Sequence, residues 1–262
     1  MKHFLGRKQT SSNADWIHAL TNIEELISRS EVEDLTSEAV ADIRAAAAEK
    51  NVAYAWSGGK DSIVLSKLCE AAGVNAGYYA YSDLDYPAFV HWCLENKPAG
   101  VIPMHTGYNL DWLVKHRRLI FAQGQLGQRW HIINQRGPFT RMYFDNHLDA
   151  LIVGHRVIDG NVCGKDGYIR KKSGEVRYAP IFKWPHEAVL GFIHYNDLEL
   201  PPIYGWKDGF VIGTHAWPER EFCKTVEQGY REVYEIDPSI VMQAAERLPS
   251  ARSFIENEVM GA

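Results

Sequence analysis

Apolar residues near the start of the chain recur at helical spacing. Trp16, Leu20, Ile23 and Ile27 share one face, with Asn13 placed to cap it, and predict a first helix. A second helix is predicted over 36–50, with Val40, Ile43 and Ala47 as its apolar stripe and an alanine run of high propensity. The period then changes. Val52-Ala-Tyr-Ala-Trp56 is an apolar run of strand length, followed by a glycine-rich turn and by Ile63, Val64, Leu65 and Leu68, a helix closed by Gly73. Residues 75–80 predict a strand, 86–96 a helix, and 101–104 a weak strand demoted by Pro103. Residues 149–153 give the clearest later strand. Strands alternating with helices predict a mostly parallel sheet covered on both faces.

Beyond Gly154 the pattern shifts. The stretch 160–178 is rich in Gly and Lys and predicts an exposed hairpin around Lys172-Ser-Gly174. A helix over 185–195 carries Pro185 in its first turn, and Leu200-Pro-Pro202 breaks the chain. From Pro218 onward two or three helices are predicted. The expected organisation is a helical extension (1–50), a nucleotide-binding α/β domain (51–217) and a helical C-terminal extension (218–262).

Composition narrows the class. The chain has 262 residues, 46% hydrophobic and 23% charged, enough to bury a large core without staples. Its four cysteines (Cys69, Cys93, Cys163, Cys223) form no CxxC pair, which argues against a structural zinc site and a disulfide scaffold. No apolar run reaches the roughly 18 residues of a membrane span, and no signal-peptide core is visible at the start, so a soluble cytoplasmic protein is expected. The net charge is −5, but 112–144 holds Lys115, Arg117, Arg118, Arg129, Arg136 and Arg141 and no acid. Phe121, Trp130, Phe139 and Tyr143 interleave with them, a mixture that suits a polyanion or a single-stranded nucleic acid. The eleven histidines match no zinc spacing and read as scattered hydrogen-bonding groups.

The chemistry concentrates in Ser57-Gly-Gly-Lys-Asp-Ser62, between a strand and a helix. Gly58 and Gly59 permit backbone angles closed to other residues. Successive N–H groups there can face one anion, and the helix N-terminus adds about half a positive charge. Ser57 and Ser62 bring hydroxyls and Lys60 a full charge. The pattern is neither G-x-x-x-x-G-K-[ST] nor G-x-G-x-x-G.

This hexapeptide resembles the PP-loop of the ATP pyrophosphatase superfamily. Further segments resemble the branch that contains phosphoadenosine phosphosulfate (PAPS) reductase: Ser82-Asp-Leu-Asp-Tyr-Pro-Ala-Phe89, Gly154-His-Arg156, and Tyr178-Ala-Pro-Ile-Phe-Lys-Trp184 with His194-Tyr-Asn-Asp-Leu-Glu-Leu-Pro-Pro-Ile-Tyr204. The resemblance spans roughly 51–219. It implies a Rossmann-like α/β fold of the PP-loop (adenine nucleotide alpha hydrolase-like) type. It also implies nucleotide binding by Ser57, Gly58, Gly59, Lys60, Asp61, Ser62, Asp83, Gly154 and Arg156. Lys60, Asp61 and Arg156 would carry catalysis, Arg156 by reaching the phosphates. Asp61 and Asp83 would help to hold Mg²⁺, and Asp85 lies at the same strand end.

The departures from that family shape the functional expectation. The C-terminal stretch from Leu248 has no Glu-Cys-Gly-type motif, and Gly213-Thr-His-Ala-Trp-Pro218 stands where iron–sulfur members carry cysteines. No iron–sulfur cluster is expected, and Cys223 is the only cysteine near that region. The leading expectation is an enzyme that binds ATP with Mg²⁺, cleaves between the α and β phosphates and adenylylates an acceptor. The alternatives are a sulfonucleotide reductase served by an external thiol, and a non-catalytic nucleotide- or nucleic-acid-binding module. Expected partners are an adenine nucleotide or PAPS-like relative, an acceptor the sequence does not name, a polyanion at 112–144, and a second copy as a homodimer; a membrane is not among them.

Overall fold

The computed structural model describes residues 3–6, 10–220 and 223–259. Parts of the expected terminal extensions, residues 1, 2, 7–9, 221, 222 and 260–262, therefore lie outside the described residues. The chain opens with α1 (Asn13–Thr21), the single turn α2 (Ile23–Leu26) and α3 (Arg29–Ala47). Next come β1 (Val52–Ala55), α4 (Lys60–Ala71), β2 (Gly77–Tyr81), α5 (Pro87–Asn96) and β3 (Val101–His105). Then α6 (Leu110–Lys115), α7 (Gly124–Trp130), α8 (Gly137–Asp145), β4 (Ala150–Ile152), β5 (Tyr168–Arg170) and β6 (Val176–Tyr178) follow. The last elements are α9 (His186–Tyr195), α10 (Gly209–Ile212), α11 (Val226–Ile236), α12 (Pro238–Arg247) and α13 (Pro249–Phe254).

The six strands make one sheet in the order β3-β2-β1-β4-β6-β5. β1 runs parallel to β2 and β4, and β4 parallel to β6, while β5 is antiparallel to β6. The predicted mostly parallel sheet is therefore present. Pro103 lies on β3, an edge strand, where its missing N–H leaves no gap in the ladder. The predicted hairpin turns at Gly174 (φ +90°), but only β5 is its outer strand. β6 is an inner strand with Arg177 and Tyr178 buried, so the hairpin is half inside the sheet.

The helix starts differ from the predictions for local reasons. Ser12, not Asn13, caps α1, through a capping box with Asp15. Asn13 Oδ1 instead accepts the Phe210 N–H at 3.0 Å. α3 starts seven residues earlier than predicted because Ser28 and Glu31 form a second capping box. Its buried stripe is Val32, Ala39, Ile43 and Ala46.

The contacts divide the chain into two compact units, neither of them a single segment. The first comprises Met1–Tyr79, Cys93–Pro103 and Phe139–Gly213; the second comprises Ala80–Trp92, Met104–Pro138 and Thr214–Ala262. In the first, α4 and α9 pack together, and α1, α2 and α3 pack on α9. Gly191 makes the approach to α2 and α3 possible, since a Cβ there would sit 2.7 Å from Ile27 and 3.0 Å from Val32. In the second, α11, α12 and α13 pack on one another and α12 on α6.

Candidate functional site

β1 and β4 are neighbours, yet the chain leaves β1 for β2 on the other side. Such a reversal of strand order opens a crevice at the carboxyl ends of the two strands, the usual ligand position in open α/β sheets. Ser57–Ser62 follows β1 and Gly154–Arg156 follows β4, so the sheet brings the two predicted segments together. All groups described next belong to the first unit.

Gly58 has φ +69°, where a side chain is strained, while Gly59 is extended at φ −76° and serves as the N-cap of α4. The left-handed turn therefore rests on Gly58 alone. Ser62 Oγ accepts the Ser57 N–H at 3.1 Å and donates to the Gly59 carbonyl at 2.9 Å, closing the loop on itself. The Lys60 N–H donates to the Tyr204 hydroxyl at 2.8 Å. Burial raises the Tyr204 phenol well above its ordinary range, so it stays a neutral partner. Gly154 serves packing: a Cβ there would lie 3.2 Å from the Asp61 carbonyl oxygen. Its bare backbone lets the end of β4 approach the start of α4.

The charged side chains point inward. Lys60 is buried, and its Nζ lies 2.7 Å from Asp61 Oδ2 and 5.0 Å from the centre of the Trp16 ring. Arg156 is 0% exposed. Its Nε lies 2.9 Å from Asp61 Oδ1, off hydrogen-bond alignment, and its Nη2 lies 2.9 Å from Asp159 Oδ2. Nη2 also donates to His186 Nδ1 at 3.0 Å. Burial, then the charges of Arg156 and Lys60, push His186 down to about 3, so the ring is neutral and its proton sits on Nε2. Two cations thus face two carboxylates around a neutral ring, with no net charge.

This arrangement differs from the sequence expectation for Arg156. Its guanidinium is not offered to phosphate; it ties the start of α4 to the loop after β4 and to α9. The four groups that complete the array (Trp16, Asp159, His186 and Tyr204) carried no predicted role. Trp16 comes from α1, its ring edge-on to His186 at 4.4 Å and stacked on Phe210 at 5.6 Å. The N-terminal helix is therefore a wall of the site. Asp159, three residues after Arg156, was readable as a local ion pair; Tyr204 ended a quoted motif; nothing local marks Trp16 or His186.

Asp83 and Asp85 belong to the second unit. Asp83 is exposed, with Oδ1 at 2.8 Å from His105 Nε2. Asp85 is half-buried, and burial pushes its carboxyl up to about 6 even though it accepts the Ser82 N–H and hydroxyl. Mg²⁺ wants octahedral oxygen ligands, usually one or two carboxylates plus phosphates and water. Both oxygens of Asp61 face cations and Asp83 faces His105, so neither carboxylate stands free for a magnesium ion. Among the described residues no cluster of three His, Cys, Asp or Glu groups could hold a metal.

The cysteines speak to redox chemistry. Cys223 is buried, its thiol donating to Glu232 Oε2 at 3.5 Å. Burial, then the Glu232 charge, pushes the thiol up to about 11, the opposite of what a nucleophile needs. Burial also raises Cys69 and Cys163.

Among solved structures, a phosphoadenylyl-sulfate (PAPS) reductase from Candida auris, determined as a phosphate complex, is similar at a TM-score of 0.51 and 13% identity. That match covers 73% of this chain and 96% of the other. An NMN synthetase from Francisella tularensis is similar at a TM-score of 0.46 and 12% identity, over 87% of this chain and 94% of the other. No curated protein matches the sequence. At such identities the first likeness is one of fold. The family model described as the phosphoadenosine phosphosulfate reductase domain matches residues 51–231, well over half of the chain. The chain belongs to the phosphoadenosine phosphosulfate reductase domain family.

Proposed function

We propose that the loop binds the phosphates of ATP and that the protein cleaves the nucleotide between the α and β phosphates, passing adenylate to an acceptor. The observation that carries this reading is the Gly58 turn feeding the N-terminus of α4 at the crevice between β1 and β4. Amide dipoles held in such a turn stabilise phosphate charge without reorganising during the reaction. Ser57, half-exposed at the loop entrance, adds a hydroxyl donor.

In this reading an acceptor oxygen or nitrogen attacks the α-phosphorus. The bond from that phosphorus to the bridging oxygen breaks, and pyrophosphate leaves with the electron pair. The acceptor's proton passes to solvent. Lys60, Asp61 and Arg156 hold the loop in shape as positioning residues rather than as phosphate clamps. Magnesium, if supplied with the nucleotide, would neutralise phosphate charge.

The family's description favours a second reading, reduction of a sulfonucleotide by an external thiol. The buried, protonated Cys223 weighs against an internal nucleophile. Mass spectrometry of reaction mixtures separates the two. With ATP and a panel of acceptors, AMP, pyrophosphate or an adenylylated product is expected. Adenosine 3′,5′-bisphosphate and sulfite from PAPS plus a dithiol, with no turnover of ATP, would replace this proposal by the reductase.

A further inference from the structure

The basic stretch of the sequence acquires a definite shape in the second unit. Lys115 ends α6, Arg117 and Arg118 lie on the short 3₁₀ turn Arg117–Leu119, Arg129 lies on α7 and Arg136 ends the π-helical turn His131–Arg136. Arg141 belongs to the first unit and drops out. All five remaining cations are exposed. Trp130 pins their scaffold: it is fully buried, and its indole N–H donates to the Leu119 carbonyl at 2.7 Å. The 3₁₀ turn and α7 are thereby fixed to each other, with the cations on their outside.

Several acids of the second unit are engaged elsewhere. Asp111 pairs with Arg247, Glu227 with Arg231, Glu232 with Arg220, and Glu219 with His215 and Asn134. Among the described residues none of the five cations has an ion-pair partner. Lys115, Arg117 and Arg118 fall within four residues of one another, and like charges that close repel unless an anion joins them. Four of the five are arginines, whose planar fork matches phosphate oxygens. Beside them lies a stacked pair of rings: exposed His116 on half-buried Trp112, at 4.1 Å and 19°.

We propose that this face binds single-stranded nucleic acid, the cations on phosphates and the His116 ring on an unpaired base. A duplex fits poorly, because paired bases deny their faces to a ring. An anionic membrane fits poorly too. α6 and α7 have six and seven residues, too short to lay an amphipathic helix into a bilayer interface.

The test is fluorescence anisotropy of the full chain with a labelled oligodeoxythymidine of about 16 nucleotides over a salt series. With five phosphate contacts, log affinity should fall with log salt at a slope of roughly −3.5, since each contact contributes about −0.7 for single strands. Arg117→Ala/Arg118→Ala should reduce the slope to about −2 and weaken binding at low salt at least tenfold. His116→Ala should weaken binding several-fold with the slope unchanged, a stacking signature that a mere polyanion patch lacks. Thermal midpoints check that each variant is folded. No binding at low salt overturns the proposal, as does an equal slope in the double variant. A duplex that binds as tightly, or an unaffected His116→Ala, overturns the single-strand assignment. Calorimetry with ATP keeps the two proposals apart: Arg117→Ala/Arg118→Ala should bind ATP like the wild type, whatever the oligonucleotide does.

Discussion

Two regions of this chain gather positive charge, and they treat it in opposite ways. In the first unit Lys60 and Arg156 are buried and matched by Asp61 and Asp159 around a neutral His186. In the second, Lys115, Arg117, Arg118, Arg129 and Arg136 are exposed and unmatched. A count of cations would rank both as anion sites. Burial and pairing decide otherwise: the buried pair holds the start of α4 against the loop after β4, while the exposed five stand unmatched in water. Full desolvation makes each buried charge depend on its partner, whereas water screens the exposed ones.

The sharpest way to break this contrast is Asp61→Asn. It leaves Lys60 and Arg156 with one carboxylate between them and should cost about 3–5 kcal/mol in denaturant unfolding, the usual penalty for orphaning a buried charge. Lys60→Met/Asp61→Asn restores neutrality and should be less destabilised than the single variant. If the single variant is the more stable of the two, the buried array is not coupled as described. Next in size is Tyr204→Phe, which removes the acceptor of the Lys60 N–H and should cost about 1–3 kcal/mol.

The pH dependence comes third. His186 is held down at about 3, below its unfolded value near 6.5, so between those limits the unfolded chain binds one more proton. Its contribution is fully present above pH 6.5 and is lost as pH falls toward 3, at up to about 1.4 kcal/mol per pH unit. His186→Gln should flatten that part of the stability profile; an unchanged slope would show that the ring titrates normally. The smallest effect belongs to the second unit. Arg117→Ala/Arg118→Ala should change stability by no more than about 0.5 kcal/mol, as exposed charges do. A loss of several kcal/mol would mean that these side chains are structural after all.

The sequence made one layer of this contrast legible and hid the other. β1, α4, β4 and the glycine loop followed from period changes and two glycines, because backbone needs leave local marks. Pro103 marked 101–104 as a weak strand, and the fold places it at the edge of the sheet. The inward turn of Lys60 and Arg156 left no local mark, since their partners come from α1, the loop after β4 and the start of α9. Trp16 read as an ordinary core residue of an amphipathic helix, and only the fold places its ring beside Lys60. The start of α3 was missed because an exposed Ser28–Glu31 box, not an apolar stripe, sets it. The lack of acids in 112–144 was plain in the sequence, but which of its six cations share a unit was not.

The most direct measurement is a calorimetric titration of ATP into the wild type and Gly58→Ala, both checked for folding by thermal unfolding. Alanine at φ +69° strains the turn and misdirects the loop amides, yet leaves Lys60, Asp61 and Arg156 in place. If backbone dipoles hold the phosphates, the wild type binds ATP and the folded variant loses at least tenfold in affinity. Equal affinity in the two would show that the loop amides do not carry the nucleotide.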